Sequence, residues 1–161
     1  MNVSAKTLKW LIRFYPPLFF QRIWVVQFAA DFKWVKIKIN KSFLNINYNK
    51  TLFGGTIFSA SDPFYAILFD QILQKKGYKI RVWLKSAHIQ YLKPGNTNLY
   101  FKISISDLVI AEAEQKLNTE GKFIKTFTIE MHNADGILCA LVQNEVYIRN
   151  LHQGEQPTIA Y

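Results

Sequence analysis

The chain has 161 residues, half of them hydrophobic, and 20 Lys and Arg against 11 Asp and Glu give a formal net charge of +9. This length suits one domain with a substantial core and is too short for two comfortable ones. The charge implies attraction to anions without choosing among nucleic acid, anionic lipid and phosphorylated cofactors. The single cysteine, Cys139, excludes an internal disulfide and predicts a buried, inert thiol in a reducing, cytoplasmic compartment.

The first 22 residues predict a helical element, from about residue 4 to residue 20, that packs on the domain. Its aromatic stretches are interrupted by Arg13, two prolines and Arg22 before they reach the roughly 18 to 20 apolar residues of a membrane span. No secretory cleavage pattern follows. We therefore expect no transmembrane segment, while peripheral contact of this aromatic, basic segment with a membrane remains an alternative.

Hydrophobic periodicity and turn-forming residues predict the remaining elements. In chain order they are strands at 23–30 and 33–40, an asparagine-rich loop at 40–50, a buried helix that starts at the glycine pair and ends before Gly77, a strand at 78–91, a turn at 93–96, a strand at 99–106, and a hairpin of 123–132 and 137–149. Residues 107–117 fit either a short helix or a strand-linking bulge. One apolar helix followed by antiparallel strands predicts an α+β domain over 23–150, in which a curved sheet wraps the helix, with a loose tail at 151–161.

A pair of glycines and one carboxylate mark the start of the apolar helix as a candidate site. Gly54 and Gly55 let backbone N–H groups at a helix N-terminus approach a carbonyl oxygen that becomes negative during reaction. Asp62 follows seven residues later in largely apolar surroundings, where a carboxylate is costly unless it is partnered or useful. Pro63 removes one helical hydrogen bond, crowds the carbonyl of Ser59 and predicts a kink beside Asp62. The structural alternative is that Asp62 caps a backbone group that Pro63 frees.

Other polar residues give weaker signals. His88 on a strand and His132 beside a turn are more often structural than ligating, and the three histidines and one cysteine lack the spacing of a metal site. Lys93, Arg81 and Lys85 are candidates for contact with cofactor phosphates, although each is individually more typical of a solvated surface charge. No phosphate loop or nucleophile elbow is present in the sequence.

Four motifs, in this order and spacing, resemble a known family. They are Asn47-Tyr48, Phe53-Gly54-Gly55, Asp62-Pro63-Phe64, and Ile-Gln-Tyr-Leu-Lys-Pro-Gly at 89–95. Over residues 24–148 the chain resembles the hotdog fold of acyl-CoA thioesterases, particularly the phenylacetyl-CoA thioesterase-like branch. Within that branch it is most similar to an uncharacterised bacterial group of thioesterase-like proteins that carry Phe-Gly-Gly and then Asp-Pro-Phe.

The resemblance implies roles for individual residues. Asp62 matches the helix carboxylate that serves as nucleophile or as general base for water. Gly55 matches the residue whose N–H polarises the thioester carbonyl, Gly54 shapes the approach, and Asn47 matches the loop asparagine near the reacting group. The candidate substrate-binding residues are Asn47, Phe53, Gly54, Ser59 and Lys93, with no cofactor other than the coenzyme A of the substrate.

The chain departs from the family pattern at three positions. Many relatives have a histidine before Gly-Gly, another after the loop asparagine, and a glycine before the threonine, where this chain has Phe53, Tyr48 and Lys50. The loss of these polar groups leaves two hypotheses open: a thioesterase for acyl-CoA or acyl-carrier thioesters, or a catalytically weak acyl-CoA or lipid-binding module.

Two further expectations concern partners. Seven residues of helix span about 10 Å, so Asp62 and a carbonyl held by Gly55 of the same chain are far apart. Hotdog relatives build their sites between subunits, so we expect a homodimer or a dimer of dimers. A nucleic-acid binder ranks last, because the Trp34, Lys36, Lys38 stripe comes without a recognised motif.

Overall fold

A six-stranded antiparallel sheet and the apolar helical segment that it wraps form the centre of the protein. The computed structural model describes residues 3–152; residues 1–2 and 153–161, including most of the predicted tail, lie outside this part. The elements are α1 (Ala5–Arg13), α2 (Pro16–Phe20), β1 (Ile23–Phe28), β2 (Trp34–Ile39), α3 (Gly54–Ser61), α4 (Pro63–Lys75), β3 (Ile80–Tyr91), β4 (Leu99–Ser104), α5 (Asp107–Thr119), β5 (Lys122–Asn133) and β6 (Leu138–Asn150). The strands therefore fall where hydrophobic alternation predicts them, to within a few residues at their ends.

The sheet places β1 and β3 at its two edges, in the order β1-β2-β4-β5-β6-β3. All neighbouring strands pair antiparallel. β5 and β6 form the predicted hairpin, and Gly136 in its turn has a φ of +77°, a conformation that glycine adopts without strain. Gly77, with a φ of +90°, follows α4 as the predicted helix stop.

The N-terminal helices lie on the β1 edge. Ser4 caps α1, because its hydroxyl accepts a hydrogen bond from the Thr7 N–H at 3.1 Å. Leu8, Ile12 and Leu18 are buried, and α1 and α2 both contact β1. No helix within residues 3–152 is both long and apolar enough to cross a bilayer.

The ambiguous segment after β4 is a helix, α5. Ser106 caps it by accepting a hydrogen bond from the Val109 N–H at 3.3 Å. Ile110, Ala113 and Leu117, which recur at helical spacing, are buried. The sequence left the helix and the bulge open, and this buried stripe decides for the helix.

The apolar helical segment runs from Gly54 to Lys75 and breaks at Asp62, where Pro63 predicts a kink. Four side chains on α4 are fully enclosed: Phe64, Leu68, Phe69 and Leu73. Tyr65 stacks on Phe127 of β5, with ring centroids 4.3 Å apart. The helical segment thus forms the centre of the core, and the break lies where α3 meets α4.

Candidate active site

The glycine pair begins α3 with an uncapped N-terminus. Phe53 occupies the N-cap position and provides no side-chain hydrogen bond, so helix geometry leaves the N–H groups of Gly54 and Gly55 without an intrahelical acceptor. The preceding backbone is held on both sides: the Leu52 N–H donates to the Gly95 carbonyl at 3.0 Å and the Phe53 N–H to the Asn45 carbonyl at 2.9 Å. Two free donors therefore stand on a fixed segment of chain.

Two aromatic side chains occupy the space that the glycines leave. A Cβ on Gly55 would clash with Cε1 of Phe53, so the Phe53 ring folds back over Gly55. A Cβ on Gly54 would lie 3.0 Å from the hydroxyl of Tyr91, which donates a hydrogen bond to the Gly54 carbonyl at 3.0 Å. In this structure the close approach that glycine permits is used by the chain's own rings.

Asn47 lies beside the glycines, and its amide closes the asparagine-rich loop. Its Nδ2 donates to the Thr51 hydroxyl at 2.8 Å and its Oδ1 accepts from the Thr51 N–H at 3.1 Å. Lys50 within this loop has a φ of +59°, which is the left-handed region that favours glycine. The loop therefore keeps a backbone shape suited to glycine although this chain carries lysine there, and the second N–H of the Asn47 amide makes no hydrogen bond within residues 3–152.

Asn45 is a second loop asparagine, and the sequence does not single it out. It is buried, and its Nδ2 donates to the carbonyls of Gln21 at 2.7 Å and Asn40 at 3.1 Å. Its Oδ1 accepts from the Ser42 N–H at 2.8 Å. Asn45 thus fixes the loop that leads into the glycine pair, and only its burial distinguishes it from its neighbours.

A groove of about 410 Å³ brings together three of the candidate residues. Asn47, Gly54 and Lys93 line it, together with Tyr91 and apolar atoms of Leu52 and Ile57. Phe53, Gly55, Ser59 and Asp62 do not line this groove. The groove lies between the asparagine-rich loop and the 93–96 turn, so one half of the predicted site is assembled there.

Asp62 lies at the other end of α3, between the two helices. It is the N-cap residue of α4 but makes no side-chain cap hydrogen bond, because its backbone stays in the right-handed helical region with φ −65° and ψ −59°. The structural alternative, a capping aspartate, is therefore wrong. Within residues 3–152 the structure contains no ion pair or hydrogen bond of this carboxylate.

The surroundings of Asp62 differ from the enclosed position that the sequence predicts. The side chain is exposed in the single chain, so that expectation is wrong: Asp62 lies on the same helix face as Phe58, four residues earlier, and that face is exposed. Neighbouring chain still removes water from one side of the carboxyl, and this burial raises the pKa of Asp62 above its ordinary value. The result is an accessible carboxyl that holds its proton more tightly than a fully solvated one.

Asn144 on β6 supports the break from beneath. It is fully buried, and its Nδ2 donates to the carbonyl of Ser61 at 2.9 Å. Its Oδ1 is buried and has no hydrogen-bond partner among the described residues. The amide thus fixes the last residue before Asp62. Asn144 interrupts the alternate apolar positions 140, 142, 146 and 148 of β6, and this interruption is the sequence signal that could have identified it.

The open edge of the sheet lies beside Asn144. On β3, Ala87 is the register partner of Asn144, and residues 85–88 are all exposed. A register shift between Leu84 and Ser86 marks a bulge in this edge. A strand of 12 residues with an uncovered edge is open to pairing with another strand.

The remaining sequence candidates lie outside both the groove at the asparagine-rich loop and the helix break at Asp62. Arg81 and His88 are exposed on β3, Lys85 pairs with Glu145 at 2.8 Å, and His132 lies 3.7 Å from Glu130. Cys139 is buried, as predicted, and burial raises the pKa of its thiol. Within residues 3–152 there is no group of three His, Cys, Asp or Glu residues that could hold a metal ion.

In the basic stripe on β2, the Trp34 ring is already in contact with lysine side chains of the same protein. The ammonium groups of Lys36 and Lys102 lie 5.6 Å and 5.2 Å from the Trp34 ring centroid. Trp34 is half-buried rather than exposed. This cation–π contact makes Trp34 a poor platform for stacking a base.

A family model described as "Domain of unknown function (DUF4442)" matches residues 5–148. The chain belongs to this family. No curated protein sequence matches this DUF4442 chain.

Solved structures share the architecture of this DUF4442 protein. A Pseudomonas aeruginosa protein of unknown function, named as a probable thioesterase, matches with a TM-score of 0.83 at 12% identity over 93% of this chain and 98% of its own. A Haemophilus influenzae thioesterase matches with a TM-score of 0.69 at 12% identity over 97% of both chains. The PaaI protein of the E. coli phenylacetic acid degradation operon matches with a TM-score of 0.59 at 12% identity over 91% of both chains. At this identity the likeness shows the fold, and the predicted hotdog fold is confirmed.

Proposed function

We propose that this protein hydrolyses an acyl-CoA or acyl-carrier thioester at a site shared between two subunits. The observation that carries the proposal is Asp62: on a hotdog fold, its carboxylate lies at a helix break, is accessible, and has no hydrogen-bond or ion-pair partner among residues 3–152. The Gly55 N–H polarises the thioester carbonyl, and Asp62 acts as general base or as nucleophile. The names of the structural neighbours agree with this chemistry.

In the general-base route, Asp62 takes a proton from a water molecule as the water oxygen bonds to the thioester carbon. The carbonyl oxygen becomes negative and is stabilised by the Gly55 N–H at the start of α3. Collapse of the tetrahedral intermediate breaks the carbon–sulfur bond, and the thiolate leaves and takes up the proton. In the nucleophilic route, the Asp62 carboxylate attacks the thioester carbon, the carbon–sulfur bond breaks and the thiolate leaves. Water then hydrolyses the mixed anhydride, which releases the carboxylic acid product, restores the Asp62 carboxylate and supplies a proton to the thiolate.

The separation of the two groups favours a second subunit. About 10 Å of helix separate Gly55 from Asp62 in one chain, which is too far for both to act on one carbonyl. The open edge of β3 lies next to Asn144, which supports the break at Asp62. Pairing of two β3 edges in a homodimer, or in a dimer of dimers, would bring Asp62 of one copy toward Gly55 of the other.

The groove between the asparagine-rich loop and the 93–96 turn is the proposed entry for the substrate. Lys93 is exposed on the wall of the groove and suits the phosphates of coenzyme A. The N–H of the Asn47 amide that makes no hydrogen bond within residues 3–152 can donate to the substrate. Phe53, Gly54 and Ser59 complete the proposed substrate-binding set. Coenzyme A thioesters and a reduced Cys139 both fit a cytoplasmic protein.

One observation favours a second candidate function, an acyl-CoA or lipid-binding module with weak catalysis. The Phe53 ring lies against the Cα of Gly55 and so narrows the approach to the Gly55 N–H. Phe53 is 55% exposed, so its ring has room to swing outward. The two functions therefore differ in whether the bound thioester gains access to this N–H.

A hydrolysis screen separates the two functions. Acyl-CoAs of increasing chain length and aryl-CoAs are offered to the full chain, thiol release is followed, and binding is measured by calorimetry on the same compounds. Turnover of at least one class supports the thioesterase. Binding without thiol release for every class would contradict it and assign the module.

Light scattering tests the shared site. The proposal expects at least a dimer at the concentrations used for activity. Ala87→Pro on β3 removes a backbone N–H from the strand and disfavours pairing of two β3 edges. Thr128→Pro on β5 is the control: it measures how much a proline within the sheet lowers the stability of the fold. Retained hydrolysis by a strict monomer would rule out the shared site.

A further inference from the structure

The N-terminal helices expose a group of large apolar side chains that the proposed hydrolysis does not use. We call these the N-terminal platform: Trp10, Leu11, Phe14, Tyr15 and Phe20, which are 47%, 51%, 64%, 55% and 63% exposed. The Trp10 and Phe14 rings stack, with centroids 6.1 Å apart. A groove of about 720 Å³ is lined by all of these residues except Phe20, and also by Lys6, Thr7 and Pro16. A contiguous apolar surface of this kind marks an interaction site.

A basic cleft of about 370 Å³ adjoins the platform on another side of α1. Lys9, Arg13, Arg22 and Lys38 line it, and none of its lining residues is acidic. None of the four takes part in an ion pair with any residue in 3–152. The buried Nε of Arg22 has no hydrogen-bond partner within the same range. The cleft is therefore a cluster of four cations whose counter-charge the described chain does not supply.

The cleft and the platform are joined through aromatic rings. The Arg13 guanidinium lies 5.5 Å from the ring centroid of Trp10 in the platform and 4.8 Å from that of Trp24 in the cleft. Arg22 lies 5.7 Å from the same Trp24 ring. These contacts hold the cations beside the apolar groups, so that one flat partner can touch both.

Charge and polarity together decide the occupant. A second copy seated symmetrically on this face would bring four further cations to the contact, and neither cleft has an acidic lining residue to neutralise them. A nucleic acid would satisfy the cations but would leave Leu11 and Phe14 against phosphate and water. An anionic bilayer satisfies both, because aromatic side chains favour the headgroup boundary and basic side chains favour acidic headgroups.

We propose that the N-terminal platform and the basic cleft form a docking site for the surface of an anionic phospholipid membrane. The short helix α1 lies on the surface with Trp10 and Phe14 at the headgroup boundary. The cleft cations contact the lipid phosphates. This inference is independent of whether the protein hydrolyses thioesters.

Co-sedimentation with vesicles tests the docking site. The full chain is mixed with vesicles of phosphatidylcholine alone and with vesicles in which part of it is replaced by phosphatidylglycerol. We expect binding to the anionic vesicles, weakened by added salt, and little binding to the neutral ones. Equal binding to both vesicle types, or to neither, would overturn the proposal.

Two double variants with matched controls locate the surface. Lys9→Gln with Lys38→Gln removes two cleft cations and should weaken binding by about 25-fold, at about fivefold per basic residue near an anionic surface. Lys79→Gln with Lys122→Gln makes the same change in net charge on exposed residues outside the platform and cleft, and should leave binding within about twofold. An equal loss in both would reduce the effect to net charge and overturn the site.

The apolar half is tested in the same way. Trp10→Ser with Phe14→Ser should abolish detectable sedimentation, whereas Leu108→Ser with Ile124→Ser, on exposed residues of α5 and β5, should not. Circular dichroism confirms that each variant is folded. If the platform variant instead changes the oligomeric state, or if duplex DNA binds through the same residues while vesicles do not, the surface belongs to another partner and the membrane proposal fails.

Discussion

The two ends of α3 differ in how the chain uses their polar groups. At the glycine end, the Tyr91 hydroxyl bonds the Gly54 carbonyl and the Phe53 ring covers Gly55. At the other end, the Asp62 carboxylate has no partner within residues 3–152. The chain's own side chains therefore contact the glycine end without accepting a hydrogen bond from its N–H groups, whereas nothing in the described residues binds the Asp62 carboxylate.

This difference shows where the molecule needs something from outside. The glycine end is closed by side chains that can move, since Phe53 and Tyr91 are 55% and 56% exposed. The Asp62 end is built on a fixed support, because Asn144 beneath it is fully buried. Substitutions at Asp62 should therefore lower turnover most, and substitutions of the side chains at the glycine end should lower it less.

The largest expected effect is that of Asp62→Asn. This change keeps the shape of the side chain but removes the base or nucleophile, so turnover should fall by about a hundredfold or more. Substrate affinity should change little. The matched control is Asp70→Asn on α4, whose carboxylate accepts a hydrogen bond from Gln74 at 2.6 Å and has no proposed catalytic part. Equal turnover of wild type and Asp62→Asn would remove the functional difference between the two ends.

The pH dependence of turnover examines the same carboxylate in the wild type. Because burial raises the pKa of Asp62, the catalytic carboxylate form is lost at a higher pH than for a solvated aspartate, and turnover falls about tenfold per pH unit below that pKa. Protonation of Asp62 does not cause this loss of turnover by unfolding the protein. Because the pKa of Asp62 is higher in the folded state than in the unfolded state, protonation of this group stabilises the fold. Circular dichroism over the same pH range checks this. An acid limb that persists in residual Asp62→Asn turnover would assign it to another group.

Asn144→Ala should have the next largest effect, on both stability and turnover. The change leaves the buried Ser61 carbonyl without its donor, at a cost of about 1–3 kcal/mol, which lowers the melting temperature by about 3–10 °C. Turnover should fall as well, because Ser61 precedes Asp62.

Asn150→Ala is the control for a buried amide. Asn150 is buried and donates to the Leu117 carbonyl at 3.2 Å, away from the helix break. It should lose comparable stability without loss of kcat. If both variants lose kcat equally, Asn144 is a general support of the fold and not a positioning residue for Asp62.

The smallest effect is expected for Tyr91→Phe at the glycine end. Loss of one solvent-exposed hydrogen bond to the Gly54 carbonyl costs about 0.5–1 kcal/mol, or about 1–4 °C in melting temperature. Tyr100→Phe is its control, because the Tyr100 hydroxyl makes no hydrogen bond within the described residues. A change in turnover as large as that of Asp62→Asn would show that both ends contribute equally to catalysis.

Local signals in the sequence were sufficient for most of the fold. The Asp135-Gly136 turn, the helix stop at Gly77 and the break before Pro63 each depend on residues next to one another in the chain. Residues 107–117 were ambiguous, because their buried stripe is meaningful only once there is a sheet to bury it. Asn45 was not identified, because a buried amide and an exposed one have the same sequence signature in a loop, whereas Asn144 was missed although it interrupts the alternate apolar positions of β6.

The sequence by itself determined the order of elements, the glycine pair, the helix break and the presence of one carboxylate beside it. Only the tertiary structure decided that Asp62 is accessible and uncapped, that Phe53 covers Gly55, and that Asn47 and Lys93 share a groove. The physical reason is range. Turns, caps and proline breaks are set by interactions within a few residues, whereas exposure and the pairing of Asn144 with Ser61 depend on contacts across 83 residues of chain.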